Sequence, residues 1–272
     1  MRFTRARRVL DILVDLALPA ACPACSAPLG LGPTRFCPPC LGAIAPLSPP
    51  WCPRCGEPFV AAAGSHPCGR CAATEPSFDV ARAAGRYEGT LLDSIHRLKF
   101  AGDLVQAPAL GALLARALSE QREETPPCRA ERVDFSPLHV DIEDRPGPDL
   151  VIPVPLHRRR LRQRGFNQAH VLAEEALRAG LFASRTILAP RALHRLLETP
   201  PQTQLSRAAR LGNLRSAFEA DPERVKGRTV LLVDDVMTTG ATIEACARAL
   251  KRAGARRVDG VVVARVSDRP RV

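Results

Sequence analysis

The sequence predicts an α/β protein in which a parallel-sheet core with flanking helices follows a small, cysteine-rich, metal-stapled module. Three observations predict it. Residues 230–242 read V-L-L-V-D-D-V-M-T-T-G-A-T: an apolar strand, two carboxylates ending it, a hydroxyl-rich turn, and the start of an apolar-periodic helix (Ile243, Ala247, Leu250). Residues 149–176 repeat the pattern, with D-L-V-I-P-V-P-L leading into an arginine-dense loop and a helix that should bury Val171, Leu172 and Ala176. Upstream, eight of the ten cysteines fall into four C-x-x-C pairs. Strands alternating with helical stretches point to a parallel sheet, and paired thiols at this spacing point to a metal.

A chain of 272 residues can hold one sizeable core and a smaller module. We divide it into an N-terminal helix (1–21), a double ribbon (22–76) and an α/β domain (77–272). No run approaches the ~18 apolar residues of a membrane span. Arg2, Arg5, Arg7 and Arg8 precede Val9–Ala21 in the manner of a lipoprotein signal ending at Cys22. However, Asp11 and Asp15 interrupt the apolar run, and Pro19 stands where such a signal carries Leu. Those two acids share one helix face opposite Val9, Leu10, Leu13 and Leu16, so residues 1–21 read as a short amphipathic helix. The net charge of +11 suits phosphate or nucleic-acid partners. A high-GC genome that writes Arg for Lys gives the same composition, so charge alone assigns no partner. Aromatics at 4% make base stacking a weak theme.

In the cysteine module, Cys22-x-x-Cys25 is followed by Cys37-x-x-Cys40, and Cys52-x-x-Cys55 by Cys68-x-x-Cys71, thirty residues on. Each C-x-x-C turn aims two thiolates at one ion, and two turns complete a tetrahedral Cys₄ site. Pro, Gly and Ala fill the spaces between, too little apolar bulk for a core without metal. Two structural zinc ions are expected. We take the ligands to pair within each half, with crossed pairing the alternative. All-thiolate ligation leaves no open position for catalysis, and four copies at ribbon spacing disfavour redox pairs. In a reducing compartment this pattern means metal rather than disulfides, and a cytoplasmic location is expected. The glycine of C-P-R-C-G should take a positive φ, and His66 reads as an exposed loop residue rather than a ligand.

The second module should begin with a strand over Phe78–Tyr87. A helix over Gly89–Phe100 follows (Leu91, Leu92, Ile95, Leu98), with His96, Arg97 and Lys99 on its polar face, and then another over Leu104–Leu118. Lys99 reads equally as a phosphate contact or a solvated side chain. Residues 121–148, rich in Pro, Glu, Asp and Arg, read as a surface insertion carrying a free Cys128. In the loop after the 149–154 strand, five arginines fall within residues 158–164. Arg158, Arg164 and Gly165 are the candidates for holding a dense anion such as pyrophosphate, through bidentate donors at a strand's carboxyl end. A nucleic-acid patch or a merely soluble loop is the alternative. Arg191–Leu197 reads as a strand or hairpin arm, Ser206 as the start of a short helix, and the basic stretch 190–218 as a lid. The last helix (Ala241–Ala253, capped by Gly254) and strand (Val258–Ala264) complete the core, with Cys246 as a small buried residue.

The 230–242 stretch calls for a phosphorylated sugar. A helix N-terminus and hydroxyl donors suit phosphate, Gly240 allows close approach, and adjacent carboxylates suit a diol or Mg²⁺. It is neither a Walker loop nor a dinucleotide fingerprint. It closely resembles the phosphoribosyl-pyrophosphate (PRPP) motif of type I phosphoribosyltransferases. That resemblance implies that Asp234 and Asp235 hold the ribose hydroxyls. Thr238, Thr239, Gly240, Ala241 and Thr242 would hold the 5-phosphate, within a PRPP-binding stretch that also includes Val236 and Met237.

Taken in order, the cysteines, R-Y-E-G-T-L-L-D-S-I-H-R-L-K-F, V-P-L-H-R-R-R-L-R-Q-R-G-F-N-Q, T-P-P-Q-T-Q-L-S-R-A-A-R-L-G-N-L-R-S-A-F and the PRPP motif resemble the ComF/GntX family over nearly the whole chain. The resemblance implies a zinc ribbon joined to a type I phosphoribosyltransferase fold, and an association with DNA uptake in natural transformation. It implies no substrate. The expected activity is Mg²⁺-dependent phosphoribosyl transfer to an acceptor the sequence does not specify. The alternative is a non-catalytic protein binding nucleotide or single-stranded DNA, its ribbon docking a DNA-uptake helicase.

Overall fold

The computed structural model describes residues 20–30, 35–59, 64–119, 147–179, 185–197 and 217–267. The N-terminal helix, nearly all of the 121–148 insertion with Cys128, and most of the 190–218 segment with its Ser206 helix lie outside the described residues.

Five strands form one all-parallel sheet in the order β1-β7-β6-β2-β3: β1 (Val80–Arg86), β2 (Leu150–Pro153), β3 (Ile187–Leu188), β6 (Thr229–Met237) and β7 (Arg257–Arg265). β4 (Leu193–Arg195) and β5 (Phe218–Ala220) pair antiparallel beside it, so the expected hairpin arm is present. Helices α3 (Gly89–Ala101), α4 (Gln106–Ser119), α5 (Arg158–Arg164), α6 (Gln168–Arg178), α7 (Pro222–Val225) and α8 (Ala241–Arg252) complete the domain. Two five-residue helices, α1 (Pro38–Gly42) and α2 (Gly69–Ala73), belong to the ribbons. Among the described residues, no helix is long and apolar enough to cross a membrane.

The sheet is covered on both faces, which explains why its central strands read as unbroken apolar runs rather than alternating ones. Val230 and Leu232 pack with Ile243, Ala247 and Leu250 of α8, in a core that includes Cys52, Cys55 and Cys68. Leu231 and Val233 pack on the other face with Leu91, Ile95 and Leu98 of α3, Leu110 and Leu114 of α4 and Leu172 of α6, a core that includes Cys22 and Cys37. Each ribbon therefore joins a different face. α4 and α6 cross so closely at Gly111 that a Cβ there would lie 2.5 Å from the Glu175 Cβ.

The ribbons also cover the sheet's β1 edge. Ala81 N–H donates to the Arg54 carbonyl (2.7 Å) and Arg86 N–H to the Ala45 carbonyl (2.9 Å). Edge groups that would otherwise template pairing with another chain are thereby occupied.

Three sequence expectations need correction. β6 does not end at the aspartates but runs on to Met237, held by β7 from Thr229↔Arg257 to Met237↔Arg265. The arginine-dense segment is the helix α5 rather than a loop: Arg, Leu and Gln form helix readily, and His157 caps its start by accepting from Arg159 N–H. Gly165, left-handed at φ 82°, ends it. Val171 is only half-buried, while Ala169 and Ala173 join Leu172 and Ala176 in the core.

Candidate functional site

The site is built at the carboxyl end of the central strand. Adjacent residues on a regular strand face opposite sides of the sheet, which would separate Asp234 from Asp235. Here the alternation breaks. Val233 and Val236, three apart, pack on the same face, although the pairing register with β7 is unchanged from Asp234↔Val262 to Val236↔Ala264. Each aspartate bonds to the next residue's backbone: Asp235 N–H donates to Asp234 Oδ1 (2.9 Å) and Val236 N–H to Asp235 Oδ1 (2.7 Å). The carboxylates stay close enough to perturb one another. Burial, then the like charge of Asp235, push the Asp234 carboxyl well above its usual range, against the pull of Lys99.

Lys99, on α3, is the residue the sequence left undecided. Its Nζ lies 2.8 Å from Asp235 Oδ2, with side chains 16% and 5% exposed, so it is an internal counter-ion and not a solvated surface group. Arg164 turns the same way. Its guanidinium lies 5.6 Å over the Phe100 ring, Nη1 donates to Gln168 Oε1 (2.5 Å), and it feels the negative charge of Asp235. Partial burial lowers the Arg164 pKa from its ordinary value. Of the three pyrophosphate candidates, Arg164 is thus the one within electrostatic range of Asp235. Arg158 stands exposed at the start of α5, and Gly165 serves as the cap of that helix.

The turn from β6 to α8 carries Thr238 and Thr239 exposed, then Gly240 as the N-cap at φ 80°. The left-handed φ is why glycine stands there. Thr239 Oγ1 accepts from Ala241 N–H (3.4 Å), and Ala241 and Thr242 open α8. A helix start with hydroxyls beside it is a fitting cradle for a phosphate. Val236 and Met237 contribute differently from the rest of the motif: their side chains pack into the two cores, leaving only their backbone near the site.

The eight ribbon cysteines form two clusters within the halves, Cys22–Cys25–Cys37–Cys40 and Cys52–Cys55–Cys68–Cys71, with all sulfurs of a cluster within 4.8 Å of one another. Zn–S bonds of about 2.3 Å at tetrahedral angles place sulfurs ~3.8 Å apart. The Cys25–Cys37 and Cys55–Cys68 sulfurs lie 3.6 and 3.7 Å apart. Backbone N–H groups point at the sulfurs, from Cys37 to Cys22 (3.4 Å) and from Cys68 to Cys52 (3.3 Å). Neighbouring thiols drive the pKa of Cys52 down and those of Cys55 (to about 11) and Cys71 up, as expected where four thiolates need a shared cation. The donor set fits zinc. Gly56 takes φ 69° in the second knuckle, and Ser26 takes φ 62° at the matching place in the first. His66 stands outside the clusters, exposed and stacked on Phe59 at 4.2 Å.

Sequence reasoning missed the groups that join ribbon to core. Arg265, 1% exposed at the end of β7, donates to the Cys55 carbonyl (2.8 Å) and pairs with Glu57. Arg82 donates to the Pro53 carbonyl (2.9 Å), and burial lowers its pKa to about 10. Ser77 N–H and Oγ bond Glu244 on α8 (2.7 and 2.8 Å). Arg70 reaches the Thr239 carbonyl (2.6 Å). A lone arginine in a strand or knuckle carries no sequence signal for such a partner.

Fold and site define a protein with a double zinc ribbon and a phosphoribosyltransferase domain. Residues 13–72 match the double zinc ribbon domain, and residues 194–271 the phosphoribosyl transferase domain. The chain is 35% identical over 246 residues to the DNA utilization protein YhgH of Escherichia coli O6:H1, covering 89% of this chain and 96% of that protein. It is 31% identical over 211 residues to Competence protein F of Haemophilus influenzae (77% and 82% covered). It is 27% identical over 175 residues to Competence protein ComFC of Bacillus subtilis (64% and 58% covered). The chain belongs to the ComF/GntX family. Among solved structures, it is similar to glutamine PRPP amidotransferase from B. subtilis at 20% identity and TM-score 0.34, over 62% of this chain and 30% of that one, too distant to bear on function.

Proposed function

We propose that the protein binds PRPP with Mg²⁺ and transfers the phosphoribosyl group to a nucleophilic acceptor. The supporting observation is the buried Asp234–Asp235 pair, joined to Lys99, on the strand that runs directly into the 238–242 turn at the start of α8. The two aspartates accept from the ribose hydroxyls, the turn takes the 5-phosphate at the start of α8, and Arg164 faces the pyrophosphate end. Magnesium, when bound, would be held near the Asp234 and Asp235 carboxylates and would supply charge neutralisation. The chain's own work is orientation and charge stabilisation as C1 becomes cationic. Lys99 holds the Asp235 carboxylate in place in the ligand-free site. Calorimetry with PRPP and Mg²⁺ tests the reading. Wild type should bind, and Asp235→Asn should lose binding; absence of PRPP binding in wild type refutes it. A screen of nucleobases for released pyrophosphate then identifies the acceptor.

The +11 charge and relatives named for competence and DNA utilization favour a second reading. In it, the domain serves DNA uptake by binding single-stranded DNA or nucleotide without turnover, and the ribbon docks a protein partner. Salt-sensitive oligonucleotide binding that survives Asp235→Asn, in a protein that ignores PRPP, would establish it.

A further inference from the structure

Arg70 lies between two cysteines of the second cluster, Cys68 and Cys71, on α2. Its Nη1 donates to the Thr239 carbonyl at 2.6 Å, and its Nη2 stands 3.9 Å from the Glu57 carboxylate. Glu57 is itself fixed by Arg265 and by Ser267 Oγ (3.2 Å). A guanidinium anchored in the ribbon therefore grips the middle of the β6–α8 turn, 169 residues away in sequence.

The grip has a geometric consequence. The Thr239–Gly240 peptide is planar and trans, so its carbonyl and its N–H point in opposite directions. Holding the carbonyl toward the ribbon fixes the Gly240 N–H away from it. Gly240, at φ 80°, would otherwise let that peptide rotate with little steric resistance. The first ribbon makes contacts of the same kind on the other side of the molecule: Arg97 Nη1 and Gln106 Nε2 donate to the Pro23 carbonyl at 2.6 and 3.0 Å, far from the turn in the fold's layering.

We propose that Arg70 is a positioning residue for the phosphate turn, and that through it the metal state of the second cluster, not the first, sets the protein's affinity for a 5-phosphorylated ribose. This rests on the PRPP-binding reading above for its ligand, but not for its effect on the turn. With the four sulfurs drawn to one cation, the short segment Cys68–Cys71 has a fixed course and Arg70 a fixed origin. Loss of the cation frees both, and the turn loses its tether.

The test uses the full, zinc-loaded chain and compares Arg70→Ala, Arg70→Lys and Arg97→Ala with wild type. The readouts are calorimetric affinity for ribose 5-phosphate and for PRPP with Mg²⁺, amide hydrogen exchange over residues 238–242 without ligand, and zinc per chain. One partly exposed, charge-assisted hydrogen bond predicts about tenfold weaker binding and about tenfold faster exchange for Arg70→Ala. Zinc content should be unchanged, Arg70→Lys should recover part of the loss, and Arg97→Ala should alter neither readout. Stripping zinc from wild type should reproduce the faster exchange. Exchange at 238–242 unchanged in Arg70→Ala, or altered equally by Arg97→Ala, overturns the proposal. Should wild type bind neither ligand, the functional reading falls while the exchange data still decide this one.

Discussion

Replacing Lys99 with Met tests the internal counter-ion most directly. The substitution keeps the length and apolar stem but leaves Asp235, 5% exposed on its side chain, without its cation. Removing one partner of a buried pair costs 3–5 kcal/mol, and the 16% exposure of Lys99 lets water and relaxation recover part, so ~2 kcal/mol of ligand-free stability should be lost. For a chain of this size that corresponds to roughly 5 °C in Tm. Scanning fluorimetry in zinc-replete buffer at neutral pH reads it. Because the cost arises from a stranded charge and not from lost packing, Lys99→Met combined with Asp235→Asn should regain more than half of the deficit. Mg²⁺ should raise the Tm of Lys99→Met more than that of wild type. A single variant as stable as wild type, or a double variant no better than the single, would refute the pairing.

Other perturbations isolate other parts. Burial raises the Asp234 carboxyl above its ordinary 3.8, so the fold binds that proton more tightly than the unfolded chain and loses stability as pH rises from there toward the folded value. Asp234→Asn, which preserves the acceptor for Asp235 N–H, should therefore gain stability relative to wild type as pH climbs from about 4 to 7 while losing PRPP binding; a pH-independent difference would sink the assignment. Gly111→Ala should cost about 1–3 kcal/mol by urea denaturation, since the new methyl must part α4 from α6; a neutral result would mean the crossing is looser than described. Mass spectrometry of metal content should give about two zinc per chain in wild type and one in Cys40→Ser, as the two Cys₄ clusters require; an unchanged count would dissociate Cys40 from the first cluster.

The parts of this molecule written in local pattern were the legible ones. Helix α8, the strands around it and the metal-binding turns follow from apolar period and C-x-x-C spacing, and the family follows from the order of motifs; which turns share an ion does not. What stayed hidden depends on contacts across the sheet. Residues R-R-R-L-R-Q-R read as a loop because charge density drew attention away from helix propensity, although the His157 cap and Gly165 stop were both there to see. The acids read as the strand's end because carboxylates rarely continue a buried strand. β6 continues because β7 pairs with it to Met237 and Lys99 arrives from α3 to offset the charge. Lys99 itself was ambiguous because polar faces look alike until their partner is known. Burial of Arg82 and Arg265 has no sequence signature at all.

Those two arginines explain why ribbon and domain form one structure rather than two joined by a linker. A Zn²⁺ held by four thiolates carries a net charge of −2, which is costly against an apolar core. Cys52, Cys55 and Cys68 nevertheless sit inside the core beneath α8. Arg82, 7% exposed, and Arg265, 1% exposed, stand beside them, with Arg265 Nη2 4.0 Å from the Cys55 sulfur. Both guanidiniums bring positive charge to the tetrathiolate centre, Arg265 sharing its charge with Glu57, and the ribbon's carbonyls at Pro53, Arg54 and Cys55 take their N–H donors. The burial is mutual: the ribbon supplies the carbonyls and Glu57 that satisfy the two arginines, and the arginines supply charge beside the buried sulfurs. This mutual dependence brings Arg70 to the turn before α8, where a metal-stapled module meets the segment proposed to hold a phosphate.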